Sequence, residues 1–561
     1  MKRRFAFAAV VAALAVTLTA CAGLPTNGPV LQGLPAGAAA GPPAVSFLPD
    51  RPQPGATPQQ IVEGFIRAGQ GSSAGWQTAR LFLAPSFRDA WKPTAGVTVD
   101  VFKERSYAPD KTDAPDKTDT IDLTVTPVAN VDENGTYSVT PVGATTLPLS
   151  FSLARQRDGE WRITKAPNGI ILDESAFESV FHPYSLMYYD PTWTYLVPDV
   201  RWFPTTNAAS RIVQALIRQK PSVWLAGSVV TAFPDNVGVQ PSVTNSAGTA
   251  QVELTGSPLS AEQTTLDRML TQLTQSLATA GFSDVRMSFG STPINASVIL
   301  PTTTPPAQPV VLTAKGFGFY QSDAAVDPLP GLDAAVTQQQ PNAIALAPDR
   351  QSAALRIPSG TVGVVLAGRA FASLDTRTGL IAPTIDARGF VWTVPGGDPT
   401  AVRAVSAGGK GGAVAGAWPG VSRISSMQVS ADGTRLAAIV VTGGQPALAV
   451  AGVVRDGSGV PVKLSDPVIV GTLPGDGLDL AWLDDSTVGA LAHDGDGITL
   501  VEQQVGGTAM QLDAPATAVS LSGASTIAAV RLRGDDGAIY VRRGSNWQQV
   551  GTGVQVLAHV Q

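Results

Sequence analysis

Apolar positions along the chain change their spacing twice, and each change marks a new kind of element. The first regime starts at Thr57. In "TPQQIVEGFIRAG", Ile61, Val62, Phe65 and Ile66 share one face of an amphipathic helix. Thr57 is placed to cap it, Pro58 takes the first helical position, and Gln60 stands three residues after the cap, completing a capping box. "WQTARLFLAPSFRDAWKP" predicts a second and a third short helix, stopped at Pro93. Period-two alternation then appears in "GVTVDVF", "DTIDLTVTPV", "GTYSVTPV", "LPLSFSLARQ" and "GEWRITKAP". Helices followed by a run of antiparallel strands read as α+β. A tandem hexapeptide, "APDKTDAPDKTD" at 108–119, interrupts the strands and is expected to be a solvated loop.

From about Tyr184 to Pro301, strands and helices alternate. "TYLVPDVRWFPTTNAASRIVQALIRQKP" predicts a strand, a turn and a helix with Ile212, Val213, Leu216 and Ile217 inward. Short strands follow. "LSAEQTTLDRMLTQLTQSLATAG" then predicts a long helix with a stripe of Leu266, Met269, Leu270, Leu273 and Leu277. Ser260 and Gln263 have the spacing of a capping box, and Gly281 supplies a left-handed stop. "VRMSF" returns as a strand.

After "TTTPPAQP" at 302–309, a candidate stiff linker, strong helical patterns cease. The remaining chain carries a loose repeat. The best copy is "VSADGTRLAAIVV" at 429–441, where Asp432-Gly433 predicts a tight turn before a strand apolar on both faces. Weaker copies lie near Asp349, Asp386, Asp485 and Ser522. Antiparallel strands usually keep one wet face. Continuous apolar runs recurring every 40–50 residues or so therefore favour propeller blades, packed on both sides by neighbours, over a sandwich. Five or six blades of roughly 40–45 residues fit the length.

The N-terminus adds a compartment. Lys2, Arg3 and Arg4 precede an apolar run from about Phe5 to Val16, right for a signal segment and short for a membrane span. Leu18, Thr19, Ala20 and Cys21 follow, and Cys21 is the only cysteine. An apolar residue, two small ones and a cysteine resemble the bacterial lipobox. That resemblance implies cleavage between Ala20 and Cys21, an S-diacylglycerol group on Cys21 and N-palmitoylation of its new amino group. An ordinary secretory signal with a chance cysteine is the competing reading. Two or more acyl chains, at ~0.8 kcal/mol per buried CH2, make a lasting anchor. Residues 24–56, rich in Pro, Gly and Ala, would be the tether.

Composition excludes more than it reveals. Charged residues are 15% and hydrophobic residues 44%, too apolar for general disorder. Net charge is −6 and no segment carries a basic stripe, so nucleic acid is not an expected partner. His182, His493 and His559 stand far apart without zinc-motif spacing, and no metal or cofactor is expected. "GSSAG" at 71–75 fits G-x-S-x-G with Ser73 as nucleophile, but the nucleophile elbow needs a strand before and a helix after. Here helical segments flank it. "HDGDG" and "RGDDG" lack calcium-loop spacing and read as hairpin turns; "AGGKGGAVAG" lacks a P-loop's Ser/Thr. No catalytic residue is assigned. Most of the ten tryptophans, Trp193, Trp202, Trp224, Trp392 and Trp482 among them, are expected in cores.

The order of segments is multidomain: 1–20 a lipoprotein signal peptide, 21–56 lipidated cysteine and tether, 57–183 a small α+β domain that resembles the NTF2-like fold. Then come 184–301, an α+β domain that resembles the GerMN domain of spore-germination proteins, and 302–561, linker and all-β C-terminal propeller, similar in its turns to TolB-type repeats. That order resembles the LpqB family of actinobacterial lipoproteins, with "YDPTWTYLVPDVRWFP" at 189–204 resembling the entry into its GerMN domain. The resemblance implies a non-enzymatic protein on the extracytoplasmic face of the cell membrane. Its implied partner is the extracytoplasmic region of an MtrB-like sensor histidine kinase, whose MtrA-like response regulator acts on cell division and cell-wall functions. Contact with the cell wall is a further expectation. A cell-wall glycan-binding protein or hydrolase is the alternative.

Overall fold

Thr57 does start the first helix. In the computed structural model, which describes residues 49–109, 118–141, 143–299, 308–321, 324–523 and 526–560, Pro58–Ala68 is helical. The Thr57 hydroxyl accepts from Gln60 N, and the Gln60 side chain accepts from Thr57 N. The helix buries Ile61, Val62, Phe65 and Ile66 against two sheets. One runs in the order Tyr137–Val139, Pro127–Asp132, Gly96–Asp100, Ile170–Asp173; the other Ser106–Pro109, Thr118–Val125, Leu147–Arg155, Trp161–Lys165. This is the expected α+β domain. The duplicated hexapeptide lies largely outside the described residues.

The next element does more than open a domain. Phe181–Tyr189 and Leu196–Pro204 form a long antiparallel hairpin, and eight of the nine residues in its second strand are buried. Helix Ala208–Arg218 follows. Strand Thr249–Gly256 then runs parallel to Asp284–Phe289, with helix Gln263–Ala278 as the crossover. Leu266, Met269, Leu270, Leu273 and Leu277 are all buried as the stripe required. The expected Ser260–Gln263 capping box does not form. Pro258–Ser260 makes a 3-10 turn in which Ser260 Oγ donates to Ser257 O, and the helix begins after Glu262 with no side-chain cap. Gln263 instead donates to Asp267 and to Asn295 O.

Among the described residues from 310 onward, the strands build six blades around a closed ring. The inner strands are Val554–Leu557, Ala343–Leu346, Thr384–Ile385, Arg423–Val429, Gly477–Trp482 and Ala518–Ser522, each beside the next and the last beside the first. Blade 1 is closed by two ends of the domain, because Val554–Leu557 pairs antiparallel with Val310–Thr313. Double-sided burial explains the apolar runs; Arg435–Thr442 is buried over its first six residues. The repeated acidic turn follows the inner strand in blades 2 to 5, at Asp349, Asp386, Asp432 and Asp484. At Gly433 φ is +71°, and the Asp432 carboxylate accepts from Thr434 N and pairs with Arg435. Asp386 accepts from Arg388 N, Phe390 N and Trp392 Nε1. In blade 5 the turn carboxylate is Asp484, bonded to Ser486 N and Thr487 N, rather than its neighbour Asp485.

The three parts share cores. One apolar cluster runs from Leu186, Val213 and Leu225 into Ile439, Leu448 and Val450 of blade 4 and Leu480 of blade 5. A second joins the N-terminal domain to Val200 and Trp202 of the hairpin. Trp202 sits where all three meet. Its ring is 4.7 Å from Phe177 and 5.7 Å from Tyr137, while its indole N–H donates to Gly506 O of the propeller at 2.8 Å. Beside it Arg201 is fully buried. It pairs with Asp199 at 2.8 Å and donates to Asn134 O and Thr136 Oγ1, while Ser222 caps the same aspartate through N and Oγ. Arg201 Nε alone is left without a partner. A buried pair hydrogen-bonded on both sides holds a junction in one geometry; losing either partner strands a charge.

Candidate functional site

The six inner strands open on one face of the ring, and the residues at or near their entries surround a funnel of about 280 Å³. Its wall is polar: Asn342, Ser425, Ser520 and Gln555 line it with two arginines, Arg356 and Arg533. Each arginine lies on the second strand of its blade and leans across to the next one. Arg356 Nε donates to Asn342 Oδ1 at 2.9 Å and Nη1 to Leu380 O at 2.9 Å. Arg533 Nε donates to Val554 O at 3.0 Å. Burial pulls both guanidinium pKa values below the ordinary range, opposed at Arg533 by the exposed Asp535 and Asp536.

A histidine closes the floor. His559 continues past the last inner strand and pairs in parallel with Ala345 of blade 2. Its Nε2 lies 3.0 Å from Asp479 Oδ2 and its Nδ1 2.6 Å from the Gln428 amide. Asp479 also accepts from Ser426 Oγ, Leu480 N and Leu521 N. Burial alone would lower the His559 pKa, but the Asp479 charge and hydrogen bond raise it. Four blades are thereby tied at the axis through one imidazole. The sequence offered His559 as one isolated histidine; only ring closure brings Gln428 and Asp479 to it.

The other candidates scatter. Ser73 is exposed in a 3-10 turn, Ser73–Gly75, with no strand before it. His182 is half-buried on the hairpin and His493 exposed at a strand end. Among the described residues no group of three His, Cys, Asp or Glu side chains could hold a metal ion. "HDGDG" and "RGDDG" are hairpin turns, joining Thr487–Asp494 to Gly497–Gln504 and Arg531–Gly534 to Ile539–Arg543. Ala20 and Cys21 lie outside the described residues. No helix among the described residues is long and apolar enough to cross a membrane.

Comparison with known proteins matches all three parts. Residues 51–178 match the model "Lipoprotein LpqB, N-terminal domain", 185–294 match "Sporulation and spore germination", and 318–557 match "Lipoprotein LpqB beta-propeller domain". The chain belongs to the LpqB lipoprotein family. Lipoprotein LpqB of Thermobifida fusca is 30% identical over 284 residues, covering 49% of this chain and 44% of that protein. Lipoprotein LpqB of Cutibacterium acnes is 30% identical over 295 residues, covering 50% and 46%. These alignments thus span less than half of the relatives' length. Lipoprotein LpqB of Streptomyces avermitilis is 24% identical over 98% of this chain and 97% of its own. Among solved structures, TolB from Acinetobacter baumannii aligns with 73% of this chain and 79% of its own at 10% identity, with a TM-score of 0.26. The LpqB architecture of germination module and propeller is not that of a known enzyme family.

Proposed function

We propose that the chain is a lipid-anchored accessory protein of a two-component system. Cys21 carries the S-diacylglycerol and N-palmitoyl groups after cleavage behind Ala20, and the folded body stands on the extracytoplasmic face of the membrane. There it contacts the extracytoplasmic region of an MtrB-like sensor kinase and biases signalling through an MtrA-like regulator to cell division and cell-wall functions. The observation that carries this reading is membership of a lipoprotein family along nearly the whole chain, with a lipobox-like "LTAC" at 18–21. The shared cores support it. Three modules fused through Trp202 and the Asp199–Arg201 pair move as one body, so a contact on one module repositions all of them.

The test is affinity capture of the lipidated protein from actinobacterial membranes, beside Cys21→Ala. The wild type should incorporate labelled palmitate and retain the kinase. Cys21→Ala should fold normally, lose the label and lose kinase activation or repression in cells. Normal processing of Cys21→Ala would remove the anchor from the reading. Capture of no kinase, with retention on peptidoglycan and release of product, would replace the accessory role with the glycan-directed one.

A further inference from the structure

Six of the buried and half-buried arginines of this chain face a carboxylate. Arg105, Arg201, Arg377, Arg435, Arg455 and Arg542 each close an ion pair with a carboxylate inside the fold. That is the usual arrangement, because a desolvated charge without a counter-charge is costly. Arg356 and Arg533 are half-buried with no such partner among the described residues, as are Arg80, Arg211 and Arg531 elsewhere; the fixed contacts of Arg356 and Arg533 are an amide oxygen and backbone carbonyls. Both line the same funnel. A guanidinium has five N–H donors. Arg356 commits two of its nitrogens and Arg533 one, so each keeps donors for something that enters.

The one carboxylate in the funnel does not compete. Asp479 is engaged by Ser426, Leu480 N, Leu521 N and His559, and the imidazole is held towards its charged form. Asp535 and Asp536 stand exposed, where water screens their pull on Arg533. What is left is a polar funnel with uncompensated positive charge, rimmed by Ser425, Ser520 and Gln555. Guanidinium forks match carboxylate and phosphate oxygens. The volume is near the lower end of small-molecule sites, enough for a single sugar ring.

We propose that the axial funnel of the propeller binds a monosaccharide-sized ligand bearing a carboxylate or a phosphate, with Arg356 and Arg533 as its anchors. This stands apart from the kinase reading; either can fail without the other.

The test is calorimetric titration of the purified full chain with glucuronate, glucose 6-phosphate and, as the neutral probe, glucose. The two anions should bind at least tenfold tighter than glucose. Arg356→Gln and Arg533→Gln should each weaken anion binding about tenfold or more, and Arg533→Lys should recover part of the loss. Arg286→Gln, which removes the same charge from a side chain 73% exposed, should leave affinity unchanged. Ser520→Phe fills the funnel while keeping both arginines, and should abolish binding even if the arginine variants do not fold. An oligosaccharide ending in glucuronate that competes with the monomer would assign a chain end as the source; failure to compete would assign a free ligand. Absence of anion binding to the wild type, equal affinity for glucose, full affinity in a folded Arg→Gln variant, or an equal loss in Arg286→Gln would overturn the site.

Discussion

Replacing Trp202 with alanine should loosen three modules at once. The side chain is 3% exposed, packs on Phe177 and Tyr137, and donates to Gly506 O across 304 residues of sequence. Deleting a buried tryptophan ring costs about 3–5 kcal/mol when the surroundings relax only in part. Leaving a buried carbonyl without its donor costs about 1–3 kcal/mol. Trp202→Phe keeps most of the ring and loses the N–H, so it should fall in the lower range, and Trp202→Ala should reach or exceed the upper one. Chemical denaturation of the purified protein gives the total, and amide exchange gives the location. Protection should fall in Tyr137–Val139 and around Gly506, which meet at this ring, and stay unchanged in Ser352–Arg356 of blade 2. The wild type should unfold in one transition and Trp202→Ala in more than one. A Trp202→Ala protein within about 1 kcal/mol of wild type, or a Trp202→Phe protein equally damaged, would show that the junction is held elsewhere.

Gly452→Ala should destabilise by about 1–3 kcal/mol, since its Cβ would fall 2.6 Å from Ser228 Oγ and 2.7 Å from Trp224 O, where the germination-like module meets blade 4; an unchanged denaturation midpoint would contradict that contact. The raised His559 pKa stabilises the fold fully below its unfolded value of about 6.5, and that stability is lost as pH rises through the folded value. His559→Gln should therefore flatten the decline in stability as pH rises above about 6.5, and the same slope in wild type and variant would refute the assignment. Asp432 works in the opposite sense. Burial raises its pKa, but Arg435 and Thr434 more than reverse this, so its stability is present above about pH 4 and lost as pH falls through the depressed value. Asp432→Asn should remove that acid-side loss in a pH series of denaturation curves. Shortening residues 24–48 sharply, which leaves Gly55 on Glu160 and Ala56 on the N-terminal core, should impair signalling with folding and lipidation intact, and a Gly/Ser segment of equal length should restore it, because only reach is required. Normal signalling by the shortened form would end the tether argument.

Elements with local causes could be read from the sequence. The Thr57 cap needs only Thr57 and Gln60, and both do what their spacing predicts. The Leu/Met stripe at 266–277 is buried because a helix repeats its face every few residues. Ser260 misled because Pro258 starts a 3-10 turn of its own, and Gln263 finds a partner in Asn295, 32 residues on. The propeller was legible from strands apolar on both faces, and its length allowed five or six blades, but the sequence did not choose the six observed. The inner strand of blade 3 is only Thr384–Ile385, and blade 1 is split between two distant segments. The funnel was out of reach for the same reason. Arg356 and Arg533 sit on second strands of separate blades, and each looks locally like an ordinary polar strand end. Which arginines share one cavity is a property of the closed ring.

That closure also sets a clock. Val310–Thr313 waits for Val554–Leu557, and the two are separated by roughly 240 residues, a loop whose closure costs about 5 kcal/mol in chain entropy before any contact is repaid. A chain that enters its compartment N-terminus first leaves the first strand without its neighbour until the last blade has arrived. Through that interval the newborn domain shows a raw strand edge, the kind that recruits other strands. A nonsense codon just before Val554 would make the interval permanent. Holding proteins, proteases and aggregation would then compete for a domain otherwise almost fully made.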